Sequence, residues 1–174
     1  MKEDLADRDL HWFVGYVKSC QERRAAEEFA SRGISTYVPV QKVKSRWSDR
    51  VKIVDRLVIP GLIFVRCTFS DRLRMLESVR MVYGYITDGG PHNPAVVRDA
   101  EMETFVRMVS DSSLELNRGP QHLSAGDRVR VIDGPLTGLE CELVKVADKA
   151  CLAARLNGVG TMLMEISPES VKKI

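Results

Sequence analysis

Between Gly126 and Val146 the chain reads GDRVRVIDGPLTGLECELVKV, and this stretch limits the possible fold more than any other. Val129 and Val131 alternate with Arg128 and Arg130, the pattern of a strand with one buried face. Asp133-Gly134-Pro135 is turn chemistry, and Gly134 and Gly138 supply backbone freedom where the chain reverses. The spacing predicts two short strands around a tight turn, the second over Glu140 to Val146 with a less clean alternation. Further on, Ala150 to Leu156 and Thr161 to Ile166 flank Asn157-Gly158, a strong signal for a hairpin turn. The last fifty or so residues therefore read as a small β domain.

The rest of the chain alternates strand and helix signals. Residues 12–17 predict an opening strand, and Ser19 with Glu22 forms a capping-box pattern for a helix to about Arg32. That helix should bury Ala25, Ala26, Phe29 and Ala30 and stop at Gly33. A strand over Thr36 to Pro39 precedes a basic hairpin, Val40 to Val58, bent around Trp47-Ser48-Asp49. Leu62 to Arg66 reads as a buried strand, Ser70 as the cap of a short helix carrying Leu73 and Leu76, and Val82 to Thr87 as the last strand before a Gly89-Gly90-Pro91 loop. Asp99 can cap a helix burying Met102, Phe105, Val106 and Val109. The order implies an α+β arrangement, an antiparallel sheet with helices packed on it. Residues 111–122 lack periodicity and have linker composition, so the expected division is 8–110, a linker over 111–122, and 123–174.

Charge separates the two parts. Lys18 to Arg80 holds fourteen Lys and Arg against seven Asp and Glu, whereas Asp111 to the end holds eight against nine. An anionic partner for the first part alone follows, with a solvated charged surface as the competing explanation. No apolar run reaches membrane-spanning length, and Met1 to Leu10 is too charged for a secretory signal, so a cytoplasmic protein without membrane contact is expected. Cys20, Cys67, Cys141 and Cys151 form no CxxC pair, which argues against a zinc site and against a disulfide framework. His11, His92 and His122 lack any triad or metal-ligand context, and there is no P-loop or GxSxG pattern. No enzyme activity, cofactor or metal is expected.

The Gly126–Val146 stretch resembles a KOW motif, the core of a small SH3-like β-barrel. Ile59 to Arg66 (IPGLIFVR), behind Trp12-Phe13-Val14-Gly15-Tyr16, lies upstream of it, and this pairing in this order resembles the two-domain NusG family. The fold implied is a NusG-type N-terminal (NGN) domain followed by a KOW barrel. Gln41-Lys42-Val43 through Arg46-Trp47-Ser48-Asp49-Arg50, with the ending Ile166-Ser167-Pro168 through Lys173-Ile174, is similar to specialised paralogs of the UpxY and LoaP type. Those act as operon-specific antiterminators, so the function implied is suppression of pausing and termination. A KOW-containing RNA-binding or ribosome-associated protein without polymerase contact is the alternative.

The resemblance also implies site residues. Tyr16, Ile59, Leu62, Phe64 and Tyr85 match an apolar patch that docks onto the clamp helices of the RNA polymerase β′ subunit, and such a patch must face solvent. Ile59 and Leu62 stand where the family often has aromatics, and the competing placement for all five is the core of the sheet. Lys18, Arg24 and Arg80 match positions that the specialised relative RfaH uses on exposed non-template DNA, with Arg23 beside them; ordinary helix-surface charge is the other account. Lys42, Lys44, Arg46, Arg50 and Lys52 around Trp47 place an aromatic at a basic hairpin tip that could reach duplex DNA or nascent RNA, or that merely protects an edge. The barrel would recruit a ribosomal protein or the termination factor Rho. Cys141, where the motif usually has Gly, and Gly158, where the general factor has an aromatic, both weigh against those partners.

Overall fold

A computed structural model describes residues 8–111 and 113–174. The segment 1–7, most of the stretch read as too charged for a signal, and Ser112 lie outside them. In chain order the first elements are β1 (His11–Val17), α1 (Glu22–Ser31), β2 (Ser35–Tyr37), β3 (Val40–Arg46), β4 (Val51–Leu57), β5 (Leu62–Cys67) and α2 (Phe69–Ser78). They are followed by β6 (Val82–Tyr85), β7 (Val96–Val97), α3 (Asp99–Ser110), β8 (Leu116–Arg118), β9 (Asp127–Val131), β10 (Glu140–Val146), β11 (Lys149–Leu156), β12 (Gly160–Glu165) and β13 (Val171–Lys173). The fold is α+β, with three α-helices and antiparallel strand pairing among the described residues. Internal contacts divide the chain into two compact units built from interleaved segments. One holds the chain up to Pro39, Ile59–Asp99 and Asn157–Val159; the other holds Val40–Val58, Ala100–Leu156 and Gly160–Ile174.

In the first unit the sheet order is β2-β5-β1-β6, with β7 also beside β1. Phe13 and Val17 on β1, Ile63 and Val65 on β5, and Val82 and Tyr85 on β6 share a core with Ala25 and Phe29 of α1. Ala25 and Phe29 are one helical turn apart, so α1 presents one apolar stripe to the sheet. Each fully buried Phe of this kind contributes roughly 1.5–3 kcal/mol. The expected capping box does not form. Gln21 occupies the cap without a side-chain bond, Cys20 before it takes a left-handed φ of 62°, and Ala30 faces solvent. The Glu22 carboxylate is instead buried and accepts the Gly61 N–H at 2.9 Å, tying α1 to the start of β5. Likewise α2 is capped by Thr68, whose hydroxyl accepts the Asp71 N–H at 3.1 Å; Ser70 lies inside the helix and Leu73 is exposed.

In the second unit six strands form one sheet in the order β13-β9-β10-β11-β12-β8. The sheet has two ends, β13 and β8, whereas a closed barrel has none. The β11–β12 hairpin turns at Asn157-Gly158 as its sequence predicts, but β9 and β10 are joined by a longer excursion, residues 132–139, rather than a tight turn. Gly126 is required by space: a Cβ there would stand 2.0 Å from the Leu143 carbonyl oxygen. Within the segment expected as a linker, Leu116–Arg118 forms β8 and pairs with β12. Strands β3 and β4 make a separate two-stranded ribbon, and α3 buries Met102, Phe105, Met108 and Val109.

Candidate nucleic-acid interface

Lys18, Arg24 and Arg80 come from three places in the sequence and line one pocket of about 360 Å³, together with Gln21, Glu28, Ser78 and Met81. The fold brings them there by short steps. The Lys18 N–H donates to the Met81 carbonyl at 2.9 Å, closing the end of β1 onto the segment that carries Arg80. The Gln21 N–H then donates to the Lys18 carbonyl at 3.1 Å, turning the chain into α1 and so placing Arg24 on its first turns. All three cations are exposed. The one carboxylate in the pocket wall, Glu28, also meets Arg32 at 3.6 Å, so the pocket keeps a positive excess suited to phosphate oxygens. Arg23 is exposed on α1 and does not line it.

The β3–β4 ribbon carries the second basic cluster. Cross-strand register pairs Lys42 with Asp55, Lys44 with Ile53 and Arg46 with Val51, so these six share one face. Lys42 Nζ lies 3.2 Å from the Asp55 carboxylate, which offsets one charge and leaves Lys44 and Arg46 beside two exposed β-branched side chains. Trp47 opens the turn, its N–H donating to the Arg50 carbonyl at 2.8 Å; the indole is 55% exposed and Lys52 Nζ sits 5.9 Å from a ring centroid. The opposite face anchors the ribbon through a residue to which the sequence assigned no role. Gln41, fully buried, donates to the carbonyls of Asp111 and Leu114 and accepts the Leu116 N–H, each at 3.1 Å. Arg56 adds a 2.7 Å bond to the Leu116 carbonyl.

Of the five residues expected in a solvent-facing apolar patch, only Tyr16 is exposed; Ile59, Leu62, Phe64 and Tyr85 are buried. Register explains part of this. Tyr37, Phe64 and Val14 are directly opposite one another across β2, β5 and β1, and Leu62 opposes Tyr16, so these five share the sheet face away from α1. Tyr85 is on the other face, in the helix-side core, and this corrects its expected grouping with Phe64. There the Arg72 guanidinium lies 5.5 Å from the ring centroids of both Phe13 and Tyr85. The Tyr85 hydroxyl is buried without a hydrogen-bond partner among the described residues. Burial, then the neighbouring Cys67, push its phenol above the ordinary range, against the opposing pull of Arg72. Burial likewise raises the Cys67 thiol to about 12 and the Cys141 thiol to about 11, so neither is a nucleophile at neutral pH. All four cysteines are free thiols, and among the described residues no group of side chains could hold a metal ion.

Sequence reading also missed Tyr83. The ladder between β1 and β6 slips between Tyr16 and Val17: Gly84 opposes Tyr16 while Val82 opposes Val17, leaving Tyr83 as the extra residue of a bulge. Its ring is 64% exposed and stacks on Tyr16.

The family model described as "NusG: Transcription termination factor nusG" matches residues 10–106, more than half of the chain. The chain belongs to the NusG family. Among solved structures, one described as "Domain interaction in Thermotoga maritima NusG" matches over 97% of this chain and 99% of that one, at 19% identity and a TM-score of 0.52. At that identity the likeness shows the fold. Two conformations of the MjSpt4:Spt5 complex match over 94% of this chain at 16% and 18% identity, with TM-scores of 0.31 and 0.33. No curated protein matches significantly. A NusG-family chain is a transcription factor by homology, consistent with a role in elongation, and no helix among the described residues is long and apolar enough to cross a membrane.

Proposed function

We propose that this NusG-family chain is an operon-specific elongation and antitermination factor, of the UpxY, LoaP and RfaH-like kind, that holds nucleic acid on its N-terminal domain while bound to RNA polymerase. The observation that carries this reading is the convergence of Lys18, Arg24 and Arg80 on one pocket. A distant Arg80 folded beside Lys18 and Arg24 suits a phosphate backbone better than scattered surface charge does. The basic ribbon around Trp47 supplies a second nucleic-acid contact. The polymerase contact rests on the family resemblance alone, since Ile59, Leu62 and Phe64, which the resemblance matched to it, are buried. The C-terminal sheet is the KOW domain and takes a protein partner. The chain acts by binding and performs no catalysis of its own.

The test is transcription in vitro over a template carrying its own operon leader. The full chain should shorten pauses and raise readthrough of a downstream terminator. A variant with Lys18, Arg24 and Arg80 all changed to Ala should lose that effect while still co-purifying with polymerase. A chain that neither binds polymerase nor alters pausing would point to an RNA-binding or ribosome-associated role.

A further inference from the structure

Tyr16 and Tyr83 are stacked, with ring centroids 5.8 Å apart and planes 20° apart, and both are exposed, Tyr83 more so than Tyr16. An aromatic pair left open to water at a strand bulge does not serve the core; Val82 and Tyr85, on either side of Tyr83, already fill it. The geometry of the bulge is what turns Tyr83 outward, since the extra residue is released from the two-residue alternation. Gly84 is opposite Tyr16, and a Cβ there would make an ordinary 3.7 Å contact with Tyr16 Cδ2, so the ring lies directly over this strand position. One ring face of the stack is covered by its partner, and the exposure of Tyr83 leaves an outer face available.

The stack adjoins the basic pocket along both strands. Lys18 is two residues beyond Tyr16, and Met81, its hydrogen-bond partner and a pocket-wall residue, is two before Tyr83. Two residues of extended chain span about 6.6–6.8 Å. Cations that neutralise phosphates beside an open aromatic face are the two components of single-strand binding. A duplex keeps its base faces stacked on each other, so an open tyrosine face selects unpaired bases.

We propose that the Tyr16–Tyr83 stack is a platform for an unpaired base of single-stranded nucleic acid, with Lys18, Arg24 and Arg80 holding the adjoining phosphates. The proposal rests on the reading of the basic pocket given above, and it assigns to nucleic acid a tyrosine that family resemblance places at the polymerase.

The experiment is anisotropy titration of the full chain with labelled oligothymidylate, oligouridylate and an abasic oligonucleotide of equal length, over a range of salt concentrations. Base stacking of 1–3 kcal/mol corresponds to a roughly 5- to 150-fold effect on affinity. Tyr83→Ala should lose that much on the DNA or RNA strand, with an unchanged salt slope, while Tyr83→Phe binds as the native chain does. The unmodified chain should show the same loss on the abasic strand, which tests the stack without any mutation. Each of Lys18→Ala, Arg24→Ala and Arg80→Ala should instead lower the salt slope by about 0.7. The strand type bound more tightly identifies the natural source. If the abasic and base-bearing strands bind equally, with a salt slope that the three cations set, the stacking proposal falls and the pocket reading stands. If no strand binds even at low salt, both fall. If Tyr83→Ala weakens capture of core polymerase free of nucleic acid and leaves strand affinity unchanged, the pair is a protein contact and the proposal is overturned.

Discussion

Gln41 offers a sharp test of how the basic ribbon is held. Its amide reaches three backbone groups, the carbonyls of Asp111 and Leu114 and the N–H of Leu116, and accepts a longer 3.4 Å bond from Arg56. Gln41→Ala removes all four bonds at once. Leaving one buried polar group without a partner costs about 1–3 kcal/mol. Asp111 and Leu116 are buried, whereas Leu114 is only partly so and can turn to water. Two full penalties and part of a third give an expected destabilisation of roughly 2–7 kcal/mol, a large share of the roughly 5–15 kcal/mol that holds a domain together. Gln41→Glu separates donor from acceptor. The introduced carboxylate still accepts from Leu116 and Arg56 but cannot donate to two carbonyls, so near neutral pH it should be at least as damaging as Ala. Burial and the facing carbonyls raise the folded-state pKa of that group above its unfolded value. The penalty should therefore shrink as pH falls and the acid becomes a donor. Urea unfolding followed by far-ultraviolet circular dichroism measures the totals, and hydrogen exchange of the Leu116 amide localises them. An Ala variant within about 0.5 kcal/mol of the native chain, with Leu116 still protected, would refute the assignment of Gln41 as the anchor.

Other substitutions give expectations of different sign. Tyr85→Phe removes a buried hydroxyl that has no partner among the described residues, so the unfolding free energy should stay level or rise by about 1 kcal/mol, and a clear loss would mean the hydroxyl is bonded. Gly126→Ala forces a methyl against the Leu143 carbonyl oxygen and should cost about 1–3 kcal/mol by the same urea assay. Glu142 takes hydrogen bonds of 2.7 and 2.9 Å from Arg155, and these, together with the Gly126 N–H and despite some burial, hold its carboxyl below the ordinary 4.5. A depressed folded pKa means that its stabilisation is full above 4.5 and is lost as pH falls through the lower, folded value. Thermal melts should therefore show the native chain above Glu142→Gln at pH 7, with the gap closing in acid.

What the sequence reveals here depends on the range over which the relevant interaction acts. Hairpins β3–β4 and β11–β12 are legible because strand alternation and turn residues are local, and the antiparallel α+β class follows from them. The capping box fails because Glu22 is claimed by Gly61, thirty-nine residues away, and no local rule weighs that partner. The apolar patch fails for a related reason. Alternation along β5 tells which residues share a face, but not whether that face is covered. The unbroken run Leu62-Ile63-Phe64-Val65 was itself the better signal, since consecutive apolar residues mark a strand buried on both sides. The pocket cations were legible as residue types matched to a family, whereas their convergence needed the bond between Lys18 and Met81. Tyr83 carries no signal at all in a sequence where Val82 to Tyr85 reads as plain strand.

The placement of nucleic acid on the first part of the chain gains support from how charge is compensated. From Asp111 onward there are eight basic side chains, and at least six of them sit in ion pairs: Arg128 and Arg130 with Glu140, Lys145 with Asp148, Lys149 with Glu165, Arg155 with Glu142, and Lys173 with Asp127. Exposed pairs of this sort add little stability, but each cation so engaged already has an anion close by. A phosphate approaching it must displace or face a carboxylate, and the gain from releasing counterions is correspondingly small. Among the described residues, the wall of the pocket that Lys18, Arg24 and Arg80 line holds one carboxylate, Glu28, and Arg32 engages it. The same formal charge therefore has different consequences in the two parts: on the C-terminal sheet it is spent internally, and around the pocket it remains available to an anion. A protein partner, which tolerates a mixed-charge surface, suits the former; a phosphate backbone suits the latter.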